Sequence, residues 1–287
     1  TFRNWFEKNS SEFSVQSSKF GQAELTTHNS QLATRNSEPS TVNRQPSTVN
    51  IFCDEFTNYN DVEIGITMVK LLVRLGYQVQ MPKHVESGRA YLSKGLVRDA
   101  QKLAQKNVEM LKDTVSDNAP LVGLEPSGIL SFRDEYLSLV NPDLLPQAEK
   151  LAKNCFTIDE FLAKEMFKGH LTSNQFTDES KKIKLHGHCH QKALSGIGHT
   201  QKILTLPKNY SLDTIPSGCC GMAGSFGYEA EHYDISMKVG ELVLFPAVRQ
   251  APDCEVAAPG TSCRHQIKDG TGRTAKHPVE ILYEALK

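Results

Sequence analysis

KIKLHGHCH (residues 182–190) reads as a short strand that ends in polar residues, and the segments around it decide the fold. A helical stretch follows from about Lys192, then the strand-like SLDTIPSG (211–218). A longer helix spans about Glu229–Leu244, and CEVAAPG (254–260) makes the last strand. Upstream the same alternation occurs. VNIFCDEF (49–56) is a short apolar run ending at a polar turn. EIGITMVKLLVRLG (63–76) places Ile64, Met68, Leu71, Leu72 and Leu75 at helical spacing and stops at Gly76. YQVQMP (77–82) reads as a strand, about Leu96–Leu111 as a helix, and PLVGLEP (120–126) as another buried strand. Strand and helix in regular alternation predict an α/β fold with short parallel sheets flanked by helices.

The two runs can be laid over one another. Cys53 falls on Cys189, Glu86-Ser87-Gly88 on Cys219-Cys220-Gly221, and Ser127-Gly128 on Ser262-Cys263. The separations nearly agree: 33 residues from Cys53 to Glu86 against 30 from Cys189 to Cys219, then 41 from Ser87 to Gly128 against 43 from Cys220 to Cys263. We read an internal duplication, with a first half over 50–145 that lost its thiols and a second over 146–287 that kept them. Residues 1–49 are rich in Ser, Thr, Asn and Gln and contain PSTVN twice, at 39–43 and 46–50, so they read as a low-complexity linker. TFRNWFEK at its start reads as the end of a helix belonging to something upstream, which gives the chain the look of the tail of a longer polypeptide.

Hydrophobic residues make up 39% of the chain and charged residues 23%, enough apolar surface for a core. With a net charge of −1 and scattered cations there is no nucleic-acid footprint. No transmembrane segment or secretory signal is legible. The expected location is the cytoplasm, or the inner face of the membrane as a peripheral protein.

Seven cysteines, two of them adjacent, make a poor disulfide framework and a better metal or redox set. Cys155 and Cys254 sit in apolar segments and read as packing residues. Cys189, Cys219, Cys220 and Cys263 each follow a strand-like run. Open α/β folds gather ligands beyond the carboxyl ends of their strands, so these four are expected to meet at one edge. Neighbouring residues chelate a single zinc ion awkwardly, whereas a polynuclear cluster lets adjacent thiolates bind different irons. An iron–sulfur cluster, 4Fe-4S in kind, is the expected cofactor, and zinc the alternative.

Other residues carry two readings. His186, His188 and His190 alternate at a strand end and share a face there. They either ligate metal, hydrogen-bond to the sulfurs (His188 and His190, with His265 after Cys263), or serve as ordinary polar surface. Gly221, Gly224 and Gly227 either cradle a phosphate or let the backbone approach the centre closely. Cys53 is structural or faces the second site. Arg89, Lys94 and Arg133 line a groove for an acidic partner or are solvated. Glu125 and Asp134 are an acid–base pair or ordinary strand-end polar residues.

SGCCGMAGSFGYE (217–229), HCHQK (188–192) and GTSCRHQI (260–267) resemble the cysteine-rich CCG domain. It is found in the cysteine-rich subunit of heterodisulfide reductase, the glycolate oxidase iron–sulfur subunit, and the carboxyl-terminal part of fused FAD-linked oxidases of the D-lactate and D-2-hydroxyglutarate dehydrogenase type. CDEFTNYNDVEIG (53–65), GRAYLSKGL (88–96) and GLEPSGILSFRDEY (123–136) are similar to the first of the two such domains in the fused oxidases, so the resemblance covers about residues 50–287. It implies an electron-transfer module of an enzyme that oxidises a 2-hydroxy acid at a flavin. The implied partners are flavin and ferredoxin-like domains or subunits, with FAD bound upstream, and an acceptor such as a quinone or cytochrome. Alone, the chain should not oxidise anything. The family's pattern ends in C-x-x-C, but Gln266 stands three residues after Cys263, which points away from a five-thiolate, non-cubane cluster. Two rivals remain: a thiol–disulfide site in which Cys219 or Cys220 attacks a disulfide, and a docking domain stabilised by zinc.

Overall fold

A computed structural model describes residues 1–20 and 47–287. Strand β1 (Thr48–Phe52) is buried over its last four residues, as an apolar TVNIF segment in the middle of a sheet should be. It pairs in parallel with β2 (Gln78–Gln80) on one side and β3 (Leu121–Gly123) on the other, and β3 pairs with β4 (Cys155–Thr157). The first sheet therefore runs β2-β1-β3-β4. The second contains β5 (Lys181–Leu185), β6 (Tyr210–Thr214) and β7 (Glu255–Ala257) in the order β6-β5-β7, again all parallel. In each sheet the first strand in sequence lies between the second and third.

Parallel neighbours need long crossovers, and helices supply them. In chain order they include α1 (Phe2–Phe20), α2 (Val62–Arg74), α3 (Val97–Leu111), α4 (Ile158–Phe167), α5 (Cys189–Leu194), α6 (Tyr233–Leu242), α7 (Thr261–Thr271) and α8 (Pro278–Ala285). The α2 stripe foreseen at helical spacing buries Met68, Leu71 and Leu72. At α4, the Thr157 hydroxyl and the Glu160 carboxylate form a reciprocal cap that starts the helix directly from β4.

One apolar cluster passes through both sheets. Val49, Ile51 and Val122 of the first sheet, Leu71 and Leu72 of α2, Ile183 and Leu185 of β5 and Val279 and Leu282 of α8 all belong to it. A second cluster lies under the first sheet around Phe52, Phe132 and Tyr136, and a third under the second sheet around Phe245, Val256 and Ile267.

Three expectations change. The first sheet does not end at residue 145, because β4 pairs with β3 and residues 145–167 complete that sheet's helical layer. The helix read at TFRNWFEK does not belong to something upstream: α1 buries Phe2, Phe6 and Phe13 in the chain's own core, against α2. An aromatic triplet at i, i+4 and i+11 makes a helix face that the Ser- and Asn-rich composition concealed. The expected linker over 21–46 lies outside the described residues. Finally, the helix expected over 229–244 is broken. Single 3₁₀ turns at Phe226–Tyr228 and Ala230–His232 precede α6, and a separate helix begins at Leu244. Pro246 has no N–H for the Leu242 carbonyl, so the helix cannot continue through Val243. Among the described residues no helix is long and apolar enough to cross a membrane.

Candidate metal centre

The carboxyl ends of β5, β6 and β7 share one rim. β5 ends at Leu185, but the His186 N–H still reaches the Ala257 carbonyl of β7 at 2.9 Å, which fixes His186 at that rim. His188 then precedes α5, whose first residue is Cys189. The loop after β6 carries Cys219 and Cys220. Lys192 of α5 holds that loop by donating to the Ser217 and Gly218 carbonyls, at 2.6 and 2.7 Å. Gly221 sits at φ +106°, and a Cβ there would strike the Ser236 carbonyl of α6, so only glycine lets the loop seat. Gln266 donates from Nε2 to the Ser236 carbonyl and hydroxyl, each at 3.0 Å. Cys263 lies in the first turn of α7.

The four cysteines meet. Cys189 is exposed, Cys219 half-buried, and Cys220 and Cys263 buried, all as free thiols. Their side chains interact in a row, Cys189 with Cys219, Cys219 with Cys220, and Cys220 with Cys263. Within such a row the protons are shared. Cys219 is held low because Cys189 and Cys220 donate towards it, helped by the Gly221 N–H at 3.3 Å. Cys263 is likewise held low by Cys220, against the effect of burial, with His186 and His188 adding to it. Cys189 is pushed up by Cys219 and by burial, and Cys220 by Cys219, Cys263 and burial.

His186 completes the cluster. It is fully buried, its Nδ1 lies 2.7 Å from the Ser217 hydroxyl, and its Nε2 has no partner. The His186 ring nitrogen and the Cys220 and Cys263 sulfurs all lie within 4.8 Å of one another. The sequence singled out this histidine only as one of three; its pairing with two thiols of distant segments has no local signature.

The other histidines divide. His188 is buried, with Nε2 3.7 Å from Glu125 Oε1. His265 Nδ1 lies 2.8 Å from the Tyr228 hydroxyl, on the side of α7 away from the core. His190 leaves the group altogether: its ring shares a 4.8 Å neighbourhood with Asp134 and Glu135. The common strand face expected for His186, His188 and His190 does not exist, because β5 ends before His186 and α5 has begun by His190.

Several polar residues prove to have internal partners. Arg89 pairs with Glu135, Lys94 with Glu229, and Arg133 with both Glu160 oxygens at 2.8 and 2.9 Å, so they do not form an open basic groove. Gly224 and Gly227 lie against Ser93 and Ser236 side chains rather than around a phosphate-sized space. Cys155 is buried in the first sheet and Cys254 is half-buried. Cys53 is buried outside the thiol row, and burial together with Asp54 pushes its thiol up to about 12.

Glu125 was undervalued. It does not pair with Asp134; instead its Oε2 accepts from the Thr261 N–H at 2.8 Å, at the start of α7, and its Oε1 accepts from the Ser127 hydroxyl at 2.7 Å. Burial alone would raise this carboxyl, but His188, the Thr261 N–H, Ser127 and Arg264 together hold it below its ordinary value. Beside it, buried Arg264 meets Asp61 at 2.5 Å, and the Thr261 hydroxyl donates to the same carboxylate. The first sheet's helical layer thereby grips the helix that carries Cys263.

Where the sequence aligned the first half with the thiol site, oxygen stands in for sulfur. Ser87 donates from N and Oγ to the Glu55 carboxylate, both at 2.8 Å. At Gly128, the counterpart of Cys263, a Cβ would come within 3.1 Å of the Asp54 side chain, leaving no room for a thiolate.

The donor chemistry of the second site suits a soft transition metal: four sulfurs and an imidazole nitrogen that is buried with no other partner. An orphaned ring nitrogen costs on the order of 1–3 kcal/mol, which a metal bond would remove. Hard cations such as magnesium want oxygen and are poorly served here.

No family model matches the chain. It is 30% identical over 235 residues to the D-2-hydroxyglutarate dehydrogenase of Escherichia coli K12, covering 82% of this chain and 22% of that protein. The corresponding dehydrogenase of Haemophilus influenzae is 28% identical over 255 residues, covering 82% of this chain and 23% of its own length. One subunit of the anaerobic glycerol-3-phosphate dehydrogenase of E. coli K12 is 26% identical over 233 residues, covering 80% of this chain and 57% of that polypeptide. The chain thus spans under a quarter of the length of these D-2-hydroxyglutarate dehydrogenases.

Proposed function

We propose that this chain is the electron-transfer module of a flavin-linked oxidoreductase, holding an iron–sulfur cluster on Cys189, Cys219, Cys220 and Cys263. The observation that carries the proposal is the meeting of four thiols from three strand ends, ranked from buried Cys263 to exposed Cys189. Such a centre accepts and passes on electrons singly when bound. The protein's part is to place it and tune it. Lys192 and Gln266 set the loop, Gly221 N–H donates to a ligand sulfur, and Cys189 brings one edge of the site to the surface where a partner can come close.

The whole enzyme, on this reading, oxidises a 2-hydroxy acid such as D-2-hydroxyglutarate, D-lactate or glycolate. FAD and a ferredoxin-like cluster lie on other domains or subunits, and electrons leave through this site to a quinone or cytochrome. The likeness to dehydrogenases and to one polypeptide of a multi-chain dehydrogenase supports it. The shared strand order, β2-β1-β3 and β6-β5-β7, supports the reading of two pseudo-symmetric CCG-type halves, of which only the second kept the full set of thiols.

A single zinc ion is the second reading, favoured by the mutual 4.8 Å approach of His186, Cys220 and Cys263. A tetrahedral ion with bonds of about 2.0–2.3 Å would draw its donors to such separations. Anaerobic purification separates the two. The cluster gives brown protein with iron and acid-labile sulfide in equal amounts and visible absorbance that bleaches on reduction. Colourless protein with stoichiometric zinc and no sulfide would leave docking as the function, and metal-free protein with a reactive thiol would leave disulfide exchange.

A further inference from the structure

We propose that His186 is a direct ligand of the metal centre, through Nε2, so that the site is a mixed sulfur–nitrogen one. The inference rests on the reading that these thiols hold a metal, and adds to it a donor of different chemistry.

Three observations converge on this residue. His186 is wholly enclosed, Nε2 meets no oxygen or nitrogen partner, and what the ring acts on is the Cys263 sulfur. The other ring nitrogen is engaged: Nδ1 lies 2.7 Å from the Ser217 hydroxyl. With Nδ1 donating its proton there, Nε2 presents a lone pair, the arrangement that metal-bound imidazoles adopt when a neighbouring oxygen fixes the tautomer. Finally, that ring lies within 4.8 Å of the two buried sulfurs of the thiol row, Cys220 and Cys263. Its backbone is also fixed, since the His186 N–H donates to Ala257 at 2.9 Å, so the ring cannot drift from the rim.

His188 shares part of this pattern, since its Nδ1 is also buried without a partner, but only the His186 ring falls in the mutual 4.8 Å group with Cys220 and Cys263. His188 faces the Glu125 carboxylate, His265 the Tyr228 hydroxyl, and His190 the Asp134–Glu135 pair. The proposal also accounts for Gln266. Its Nε2 is committed to Ser236, and residue 266 carries no thiolate, so on this proposal the additional ligand comes from the end of β5 instead.

The test uses the full chain, loaded anaerobically with ferrous iron and sulfide, and in a parallel sample with zinc alone. X-ray absorption at the edge of whichever metal binds should show a nitrogen at about 2.0 Å beside sulfurs at about 2.3 Å, together with the outer-shell scattering of an imidazole ring. In the reduced iron form, pulsed paramagnetic resonance should show a strongly coupled nitrogen whose signature changes when histidine is labelled with ¹⁵N. His186→Cys should keep its metal and lose both nitrogen signatures. His186→Ala should surrender metal to a chelator roughly tenfold or more faster, the scale seen when groups supporting a metal ligand are lost. A fully loaded wild-type protein without imidazole scattering or nitrogen coupling would overturn the ligand assignment while leaving the electron-transfer reading intact. A wild-type protein that takes neither metal would overturn both. Should His186→Ala fail to fold, the wild-type spectra and His186→Cys still decide.

Discussion

Gln266 and His84 are buried polar side chains whose partners dictate what they do. Gln266 bridges α7 to the Ser236 backbone against which the vicinal cysteine loop rests. Gln266→Ala should cost about 1–3 kcal/mol for the unmet Ser236 carbonyl, measured by urea denaturation, and should loosen metal retention without removing a ligand. In His84 the Nδ1 faces the Pro82 carbonyl at 2.7 Å and must be the proton donor, so Nε2 accepts from the Cys53 N–H at 3.0 Å, with an Arg3 nitrogen also at 3.0 Å. Burial, then the charge of Arg3, bring its pKa down to about 4. The folded protein therefore binds fewer protons at His84 than the unfolded chain between about pH 4 and 6.5. The stability this histidine contributes above pH 6.5 is lost as pH falls to 4, on the order of 3 kcal/mol. Asp159, raised to about 6 mainly by burial, works the other way, its contribution lost as pH rises from about 4 to 6. Comparing wild type with His84→Gln isolates the first effect, since Asp159 is common to both. The variant should show the flatter loss of urea midpoint from pH 7 to 4.5, and an unchanged profile would refute the assignment.

Among elements, α1 departs most from its sequence. Phe2, Phe6 and Phe13 enter the core, and Arg3 reaches the His84 and Cys53 carbonyls at 3.1 and 3.3 Å. Phe2→Ala should cost about 3–5 kcal/mol, as large-to-small changes at buried aromatics do, seen as a lower melting temperature. A change within about 0.5 kcal/mol would mean that α1 is detached in solution. Its start was legible as helix at TFRNWFEK but its docking was not, because composition averages over a window and the polar residues that follow outvote three phenylalanines on one face. By contrast α2, with Met68, Leu71 and Leu72 all turned inward, was legible because its periodicity is local. The break before Leu244 was legible in principle, since Pro246 announces it, but the apolar run on either side masks the stop.

For the whole molecule, the order of strands and helices was readable from alternation, and the meeting of Cys189, Cys219, Cys220 and Cys263 from their places after strands. What links the lobes was not. Asp61, Glu125, Thr261 and Arg264 are polar residues scattered over some two hundred positions, and nothing in their spacing says that they touch. Burial makes these contacts consequential. Arg264→Met leaves the Asp61 carboxylate enclosed without its cation and should cost about 3–5 kcal/mol, whereas replacing both partners by apolar residues should cost far less. Because one apolar cluster threads both sheets, chemical denaturation followed by tryptophan fluorescence from Trp5 and by circular dichroism should give coincident transitions. Separate midpoints would show that the lobes unfold independently.

The position of Cys263 bears on how the protein matures. Its companions come off the ribosome earlier, Cys189 seventy-four residues before it. β7 and α7, which deliver this last sulfur, are also the last to join a sheet whose other strands are already made. A chain whose second sheet still lacks β7 therefore has no complete set of thiols to offer, and on the proposed reading a metal would load only after that strand has joined, entering where Cys189 meets water. Chelators should strip the centre by that same doorway and leave a folded apoprotein behind.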